Sequence, residues 1–126
     1  MDNNISQIFS INEIIPSAGQ GVVALQCKKS DDFIINILNK INNKKTFQSV
    51  QAERNVLKVL QGDCETAVGA ISSINDNKIT LEAELFSLDG TKRFYYKGSK
   101  DINSAYELGL EVGEILKKES KDSYKR

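Results

Sequence analysis

An alternation of apolar and polar side chains near the middle of the chain constrains the fold more than any other feature. The apolar set is Ile79, Leu81, Ala83 and Leu85, and the polar set is Thr80, Glu82 and Glu84. Such alternation predicts a β-strand that buries one face. Strand patterns cover roughly 67–74 and 92–97 as well, and the turn signals Asn75-Asp76-Asn77 and Asp89-Gly90 separate the three. These patterns therefore predict a three-stranded antiparallel sheet with one apolar face, which needs a second layer to cover it.

Helical patterns flank the three strands and supply that layer. The first begins at Thr46, a predicted N-cap, and ends near Leu60, with Gly62 as its terminator. The second runs from about Asn103 to Glu119, and we expect its Gly109 and Gly113 to allow close packing on the sheet. The order helix-strand-strand-strand-helix predicts an α+β fold with two helices on one face of the sheet.

Residues 16–44 do not fit this scheme. Val22 to Cys27 predicts a strand with Cys27 on its buried face, and Ser30 is the expected N-cap of a helix with an apolar stripe. A single strand is a poor free-standing element, so we expect this segment to pair outside the compact domain. The predicted organisation is 1–15 as a loop or remnant of a preceding domain, 16–44 as this strand and helix, 45–119 as the main domain, and 120–126 as a frayed tail.

The amino-acid composition argues against several classes of function for this chain. The 17 basic and 17 acidic residues cancel, so there is no clustered basic excess of the kind that binds nucleic acid. No histidine and only two cysteines are present, which excludes a four-ligand Cys/His zinc site and a Cys-His dyad built from this chain. No apolar stretch is long enough to span a membrane, and the N-terminus lacks a signal-peptide pattern, so we expect a cytoplasmic protein without a disulfide.

Cys64 is the residue whose surroundings suggest chemistry. It follows a predicted helix C-terminus and lies between Asp63 and Glu65, and all three features disfavour the thiolate that a turnover nucleophile needs. A thioether formed once needs no repeated activation, so a covalent anchor suits this position better. The alternative is that Cys64 is only a small hydrophobic residue at a helix–strand corner.

Several short motifs, in order and in register from about residue 11 to 118, resemble the C-terminal third of the porphobilinogen deaminase (hydroxymethylbilane synthase) family. They are Pro16-Ser17-Ala18-Gly19-Gln20-Gly21, Ala24-Leu25-Gln26-Cys27, Ala52-Glu53-Arg54-Asn55-Val56-Leu57, Leu60-Gln61-Gly62-Asp63-Cys64 with Val68-Gly69, and Ser87-Leu88-Asp89-Gly90. Several motifs in register are far more specific than any one of them.

The resemblance implies a role for each part of the chain. Cys64 aligns with the cysteine that carries the dipyrromethane cofactor through a thioether, on which four porphobilinogen units condense to hydroxymethylbilane with loss of ammonia. Gln20 and Gly21 match a pair near the bound pyrroles. Residues from about 46 onward resemble the third domain, and 16–43 resemble a segment that returns to the first domain.

This sequence departs from the family pattern in the anchor loop and in what it lacks. Asp63 stands where the family usually has a second glycine, and Ala67 where it often has a proline. The catalytic aspartate and the arginines that hold substrate carboxylates belong to the first two domains and are not in this chain. We therefore expect a partial enzyme that needs those domains as partners and is inactive alone.

Glu53 and Arg54 match the family's Ala-Glu-Arg motif. A helix-surface ion pair and a contact with adjacent domains are both compatible with these residues.

Two rival functions use the same fold. A double-stranded RNA-binding domain shares the helix, three strands, helix order, but it needs lysines at the start of the last helix, where this chain has Asp101-Ile102-Asn103-Ser104-Ala105. A non-enzymatic α+β interaction module is the other alternative, and burial of Cys64 in the domain's own core would favour it.

Overall fold

The computed structural model describes residues 4–61 and 66–125, and within them it confirms the predicted α+β fold. The elements are α1 Asp32–Ile41, α2 Lys44–Leu60, β1 Val68–Asn75, β2 Lys78–Phe86, β3 Arg93–Asp101, a 3₁₀ turn Ile102–Ser104 and α3 Ala105–Ser120. The three strands form one antiparallel sheet in the order β1-β2-β3. Both α2 and α3 pack on the same sheet and against each other.

The alternation in β2 places the core where the sequence predicts it. Ile79, Leu81, Ala83 and Leu85 are fully buried beneath the two helices. The core continues into the helices through Val56, Leu60, Leu108, Val112 and Leu116. Full burial of one such large side chain contributes about 1.5–3 kcal/mol, so this core is a major source of the domain's stability.

The helix N-caps differ from the predicted ones. Asn43, rather than Thr46, caps α2, because its Oδ1 accepts a hydrogen bond from the Thr46 N–H at 3.0 Å. Asp31, rather than Ser30, caps α1 through the Ile34 N–H at 3.0 Å. In both cases the side chain three residues before the donor N–H provides the cap. Gln61 adopts the left-handed conformation at the end of α2, and the predicted terminator Gly62 lies outside the described residues.

Val22–Cys27 forms no strand within the described residues, and the predicted pairing of this segment outside the compact domain stays a prediction. These residues have no sheet partner in the described part of the chain, and Val23 is 87% exposed. Cys27 is a free thiol and is half-buried rather than part of the core. Helix α1 forms as predicted, but none of its residues is buried, and its apolar side chains Phe33, Ile37 and Ile41 are exposed.

The predicted frayed tail is also wrong. Tyr124 is only 1% exposed, and its hydroxyl donates a hydrogen bond to the Leu60 carbonyl oxygen at 2.8 Å. The Leu88 N–H donates to the Ser123 carbonyl at 2.9 Å, which ties the tail to the end of β2. Burial raises the pKa of the Tyr124 hydroxyl, so the hydroxyl stays protonated and can donate to the Leu60 carbonyl. The many charged residues of this segment led to the prediction of a frayed tail, but the one large aromatic side chain, Tyr124, is enough to anchor it.

Gly109 and Gly113 serve the contact between α2 and α3, not the contact with the sheet that the sequence analysis expects. A Cβ on Gly109 would collide with the carbonyl oxygen of Ala52 and lie 2.7 Å from the Asn55 Cβ. A Cβ on Gly113 would lie 2.8 Å from the Cβ of Val59. The two helices therefore approach each other at backbone distance along one side of α3.

No helix among residues 4–61 and 66–125 is long and apolar enough to cross a membrane.

We predict that Gly109→Ala destabilises the domain by about 1–3 kcal/mol, because the added methyl group forces α3 away from the backbone of α2. An exposed helical position would instead gain up to about 1 kcal/mol from the same change. Urea denaturation measures the difference. Glu114→Ala, at an exposed position of the same helix, is the control and should change stability little.

We predict that Tyr124→Phe lowers the free energy of unfolding by about 1–2 kcal/mol, because the Leu60 carbonyl loses its buried donor while the ring still fills its site. Tyr106→Phe is the matched control, since the Tyr106 hydroxyl is exposed and only 3.5 Å from the Lys58 Nζ. Equal stabilities of the two variants would contradict an anchored tail.

The β2–β3 turn predicts a pH dependence. Ser87 Oγ donates to the Asp89 carboxylate at 2.6 Å, and the N–H and hydroxyl of Thr91 donate at 3.1 and 2.8 Å. These bonds, Ser87 first, lower the pKa of Asp89 to about 2. A carboxyl whose pKa is lower in the folded state stabilises the turn above its ordinary pKa, and this stabilisation is lost as pH falls toward 2. NMR titration of Asp89 should give that low value, and Ser87→Ala should raise it; a titration at the ordinary value in both proteins would contradict the assigned bonds.

Candidate functional site

Two glycines shape an exposed turn at residues 19–21, hereafter the Gly19–Gly21 turn. Gly19 and Gly21 have φ angles of 74° and 77°, in a backbone region that residues with a Cβ rarely adopt. The Gln20 N–H donates to the Ser17 carbonyl at 3.1 Å, and the Val22 N–H donates to the Gly19 carbonyl at 3.2 Å. These bonds place Gln20 at the exposed apex of the turn.

The turn presents hydrogen-bond donors to its surroundings. The side-chain oxygen of Gln20 accepts from Ser17 Oγ at 3.1 Å. Within residues 4–61 and 66–125, the Gln20 Nε2 and the Gly21 N–H make no hydrogen bond. Both groups are therefore available to a ligand that carries acceptor oxygens.

The segment before the turn is attached to the edge of the sheet. The Ala70 N–H of β1 donates to the Pro16 carbonyl at 2.9 Å, and the Ile15 N–H donates to Glu84 Oε1 at 3.3 Å. Ile15 passes directly over Gly69, where a Cβ would lie 2.6 Å from the Ile15 carbonyl oxygen. The Val68-Gly69 motif thus has a packing reason, because only glycine admits this segment.

Glu53 attaches the turn itself. Its Oε2 accepts from the Gly19 N–H at 2.8 Å, and its Oε1 accepts from the N–H and the hydroxyl of Ser72 at 2.9 and 2.7 Å. Glu53 is buried and makes no salt bridge within the described residues, so the surface ion pair considered for Glu53 and Arg54 is wrong. Arg54 is exposed on the other side of α2.

Cys64 lies outside the described residues, as does Asp63. The described residues on either side are held by tertiary hydrogen bonds. On the α2 side, the Leu60 carbonyl accepts from Tyr124, and on the β1 side the Ala67 carbonyl accepts from the Phe86 N–H at 3.0 Å. Ala67 thus has a backbone contact with the end of β2.

The described residues bring together the Gly19–Gly21 turn, α2 and β1. Cys27, the other thiol, lies on the segment after the turn and has no partner there. No group of three or more Cys, Asp or Glu side chains in the described part of the chain is placed to hold a metal ion.

The sequence analysis missed two residues that build this region, Glu53 as a buried anchor and Ser72 as its partner. A signal for Glu53 was present: it lies three residues after Val50 and four before Leu57, within the predicted buried side of α2. A charged residue inside an apolar stripe indicates a buried partner. Ser72 offered no comparable signal.

Comparisons with known proteins show which family the chain resembles. Residues 47–118 match the family model for the C-terminal domain of porphobilinogen deaminase. The porphobilinogen deaminase of Desulforamulus reducens is 36% identical over 115 residues, covering 91% of this chain and 37% of that protein. Those of Staphylococcus carnosus and Caldicellulosiruptor saccharolyticus are 31% identical over 119 residues and 37% identical over 101 residues. They cover 94% and 80% of this chain, and 38% and 34% of their own lengths.

The chain thus spans little more than a third of the length of these relatives. The family model covers α2, the whole sheet and nearly all of α3, while the relatives also match most of the segment that carries the Gly19–Gly21 turn. From the fold and these matches together, the chain belongs to the porphobilinogen deaminase family, and its residues 47–118 are the C-terminal domain of that family.

Proposed function

We propose that this chain is the cofactor-carrying part of a transferase that condenses porphobilinogen units into hydroxymethylbilane. The dipyrromethane cofactor would be held by a thioether to Cys64. The observation that carries the proposal is the family match over residues 47–118, within which Cys64 occupies the connection between α2 and β1. The family resemblance supplies the role of this cysteine.

The described residues suit such a cofactor. A pyrrole chain with acetate and propionate groups offers many acceptor oxygens, and the Gly19–Gly21 turn has two donors with no partner in the described part of the chain, Gln20 Nε2 and Gly21 N–H. When bound, dipyrromethane supplies the primer to which porphobilinogen units are added. The turn would bind carboxylate groups of the pyrroles and orient them, while Cys64 keeps the primer attached.

The exposed apolar residues of the first 41 positions support a second part of the proposal, that the chain works with the first two domains of such an enzyme. Ile8, Val23 and Phe33 are 65%, 87% and 73% exposed, and they belong to a larger apolar set on the same segments. Apolar patches of this kind mark interaction surfaces. We propose that Val22–Cys27 and α1 complete the first domain, which would bury these side chains and give Val22–Cys27 a neighbouring strand.

The residues that perform the reaction are expected in those partner domains. The family's catalytic aspartate and substrate-binding arginines have no counterpart in this chain by resemblance, so the chain supplies attachment and orientation rather than acid–base chemistry. The purified 126-residue chain should form no hydroxymethylbilane from porphobilinogen. A detectable product from the chain alone would contradict this division of roles.

The proposal predicts a mass change on Cys64. When the chain is co-expressed with the first two domains of a porphobilinogen deaminase, its intact mass should increase by two linked pyrrole units. The increase should disappear in Cys64→Ser, because the thioether needs this sulfur, and should persist in Cys27→Ser, the matched control. If the pieces are folded and associated but the wild-type mass does not change, the anchor function of Cys64 is refuted.

A further inference from the structure

Glu53 is a buried carboxylate whose three hydrogen bonds all go to groups outside its own helix. Glu53 is 8% exposed, and its two oxygens receive the Gly19 N–H on one side and the two Ser72 donors on the other. Removing a carboxylate from water is costly unless it is hydrogen-bonded, and charge-assisted bonds offset part of this cost. A neutral apolar residue would have served the packing of α2 alone, so the carboxylate needs another explanation.

The position of Glu53 along the attached segment suggests one. Ile15 and Pro16 are fixed on the sheet, and Gly19 is fixed on α2. From Gln20 to Cys27, no described residue makes a hydrogen bond to residues 44–61 or 66–125. The bond from Gly19 to Glu53 is therefore the last hydrogen-bonded attachment of this segment to the C-terminal domain before the exposed donors.

The two glycines of the turn make this attachment important. Positive φ at Gly19 and Gly21 gives the turn its shape, but glycine restricts its own backbone least of all residues. The backbone at these two glycines can therefore rotate and move the turn relative to α2. The bond from the Gly19 N–H to Glu53, at the first residue of the turn, limits this movement.

We propose that Glu53 is a positioning residue, which holds the Gly19–Gly21 turn on α2 and β1 so that Gln20 and Gly21 meet a carboxylate-bearing pyrrole in one orientation. The inference rests on the proposed function, because that function gives the turn its ligand. Ser72 contributes to this arrangement, because its N–H and its hydroxyl both bind Oε1 of Glu53 and leave Oε2 for the Gly19 N–H.

Glu53→Met tests this role, since methionine keeps the side-chain volume and helix propensity but offers Gly19 no strong acceptor. The matched control is Ser73→Ala, because Ser73 is the exposed neighbour of Ser72 on β1 and makes no hydrogen bond to Glu53. Glu53→Gln is a second variant in case methionine prevents folding. Its remaining oxygen is expected to serve the two Ser72 donors, so its NH₂ group would face the Gly19 N–H and fail to accept.

The first readout is amide hydrogen exchange in the full chain without ligand. Exchange of the hydrogen-bonded amides of Gly19, Gln20 and Val22 should rise by about tenfold in Glu53→Met and, with the same sign, in Glu53→Gln, while α3 stays protected. Ser73→Ala should change the turn little. Unchanged exchange of these three amides in a folded Glu53 variant would overturn the proposal.

The second readout is steady-state kinetics with the first two domains added. Glu53→Met should raise the KM for porphobilinogen by about fivefold and leave kcat within about twofold, because a misplaced turn weakens binding without removing acid–base groups. Normal KM together with faster exchange at the turn would refute positioning while the proposed function stands. No activity and no cofactor on the wild-type protein would instead refute the proposed function, and with it the ligand assigned to the turn.

Discussion

The close contact between α2 and α3 determines how the rest of the domain is arranged. Gly109 and Gly113 let α3 lie against the backbone of α2, so both helices fit side by side on one face of a three-stranded sheet. The contact of Gly113 with Val59 lies one residue before α2 ends at Leu60, where the chain leaves the helix toward β1. The helix pair and the crossing from α2 to β1 are therefore neighbours in the structure.

Tertiary hydrogen bonds around this crossing point come from distant parts of the sequence. Tyr124 bonds the last carbonyl of α2, Phe86 bonds the residue before β1, and Leu88 bonds the tail that carries Tyr124. On the far side of β1, Glu53 and Ser72 hold the Gly19–Gly21 turn. Hydrogen bonds from distant parts of the sequence thus hold Leu60, Ala67 and the Gly19–Gly21 turn on one domain.

The sheet could be predicted from the sequence because period-two alternation in β2 leaves only one face to bury. The two helices could be predicted because helical patterns flank the strands and supply the layer that covers this face. It leaves open what depends on a partner. Val22–Cys27 has the pattern of a strand, but a pattern does not provide the neighbouring strand, and this segment has none in the described structure. The prediction of a frayed tail failed, because the charged composition of the tail gives no sign that the ring of Tyr124 is buried. Of the candidate site, Gln20 and Gly21 were identified through the family resemblance, whereas the anchoring role of Glu53 was recognised only once its three donors were located.

The rival functions fit these observations less well. The first turn of α3 carries Glu107 and no basic residue, which argues against a phosphate-gripping helix start. An interaction module would account for the exposed apolar segments but gives no reason for a buried carboxylate beneath an exposed donor turn. An experimental structure of the chain in complex with the first two domains of a porphobilinogen deaminase is the most direct test. The account predicts Val22–Cys27 paired in the first domain, Gly19 still bonded to Glu53, and a pyrrole group on the Cys64 sulfur. A complex in which Val22–Cys27 stays unpaired and the Cys64 sulfur packs into the domain's own core would contradict it.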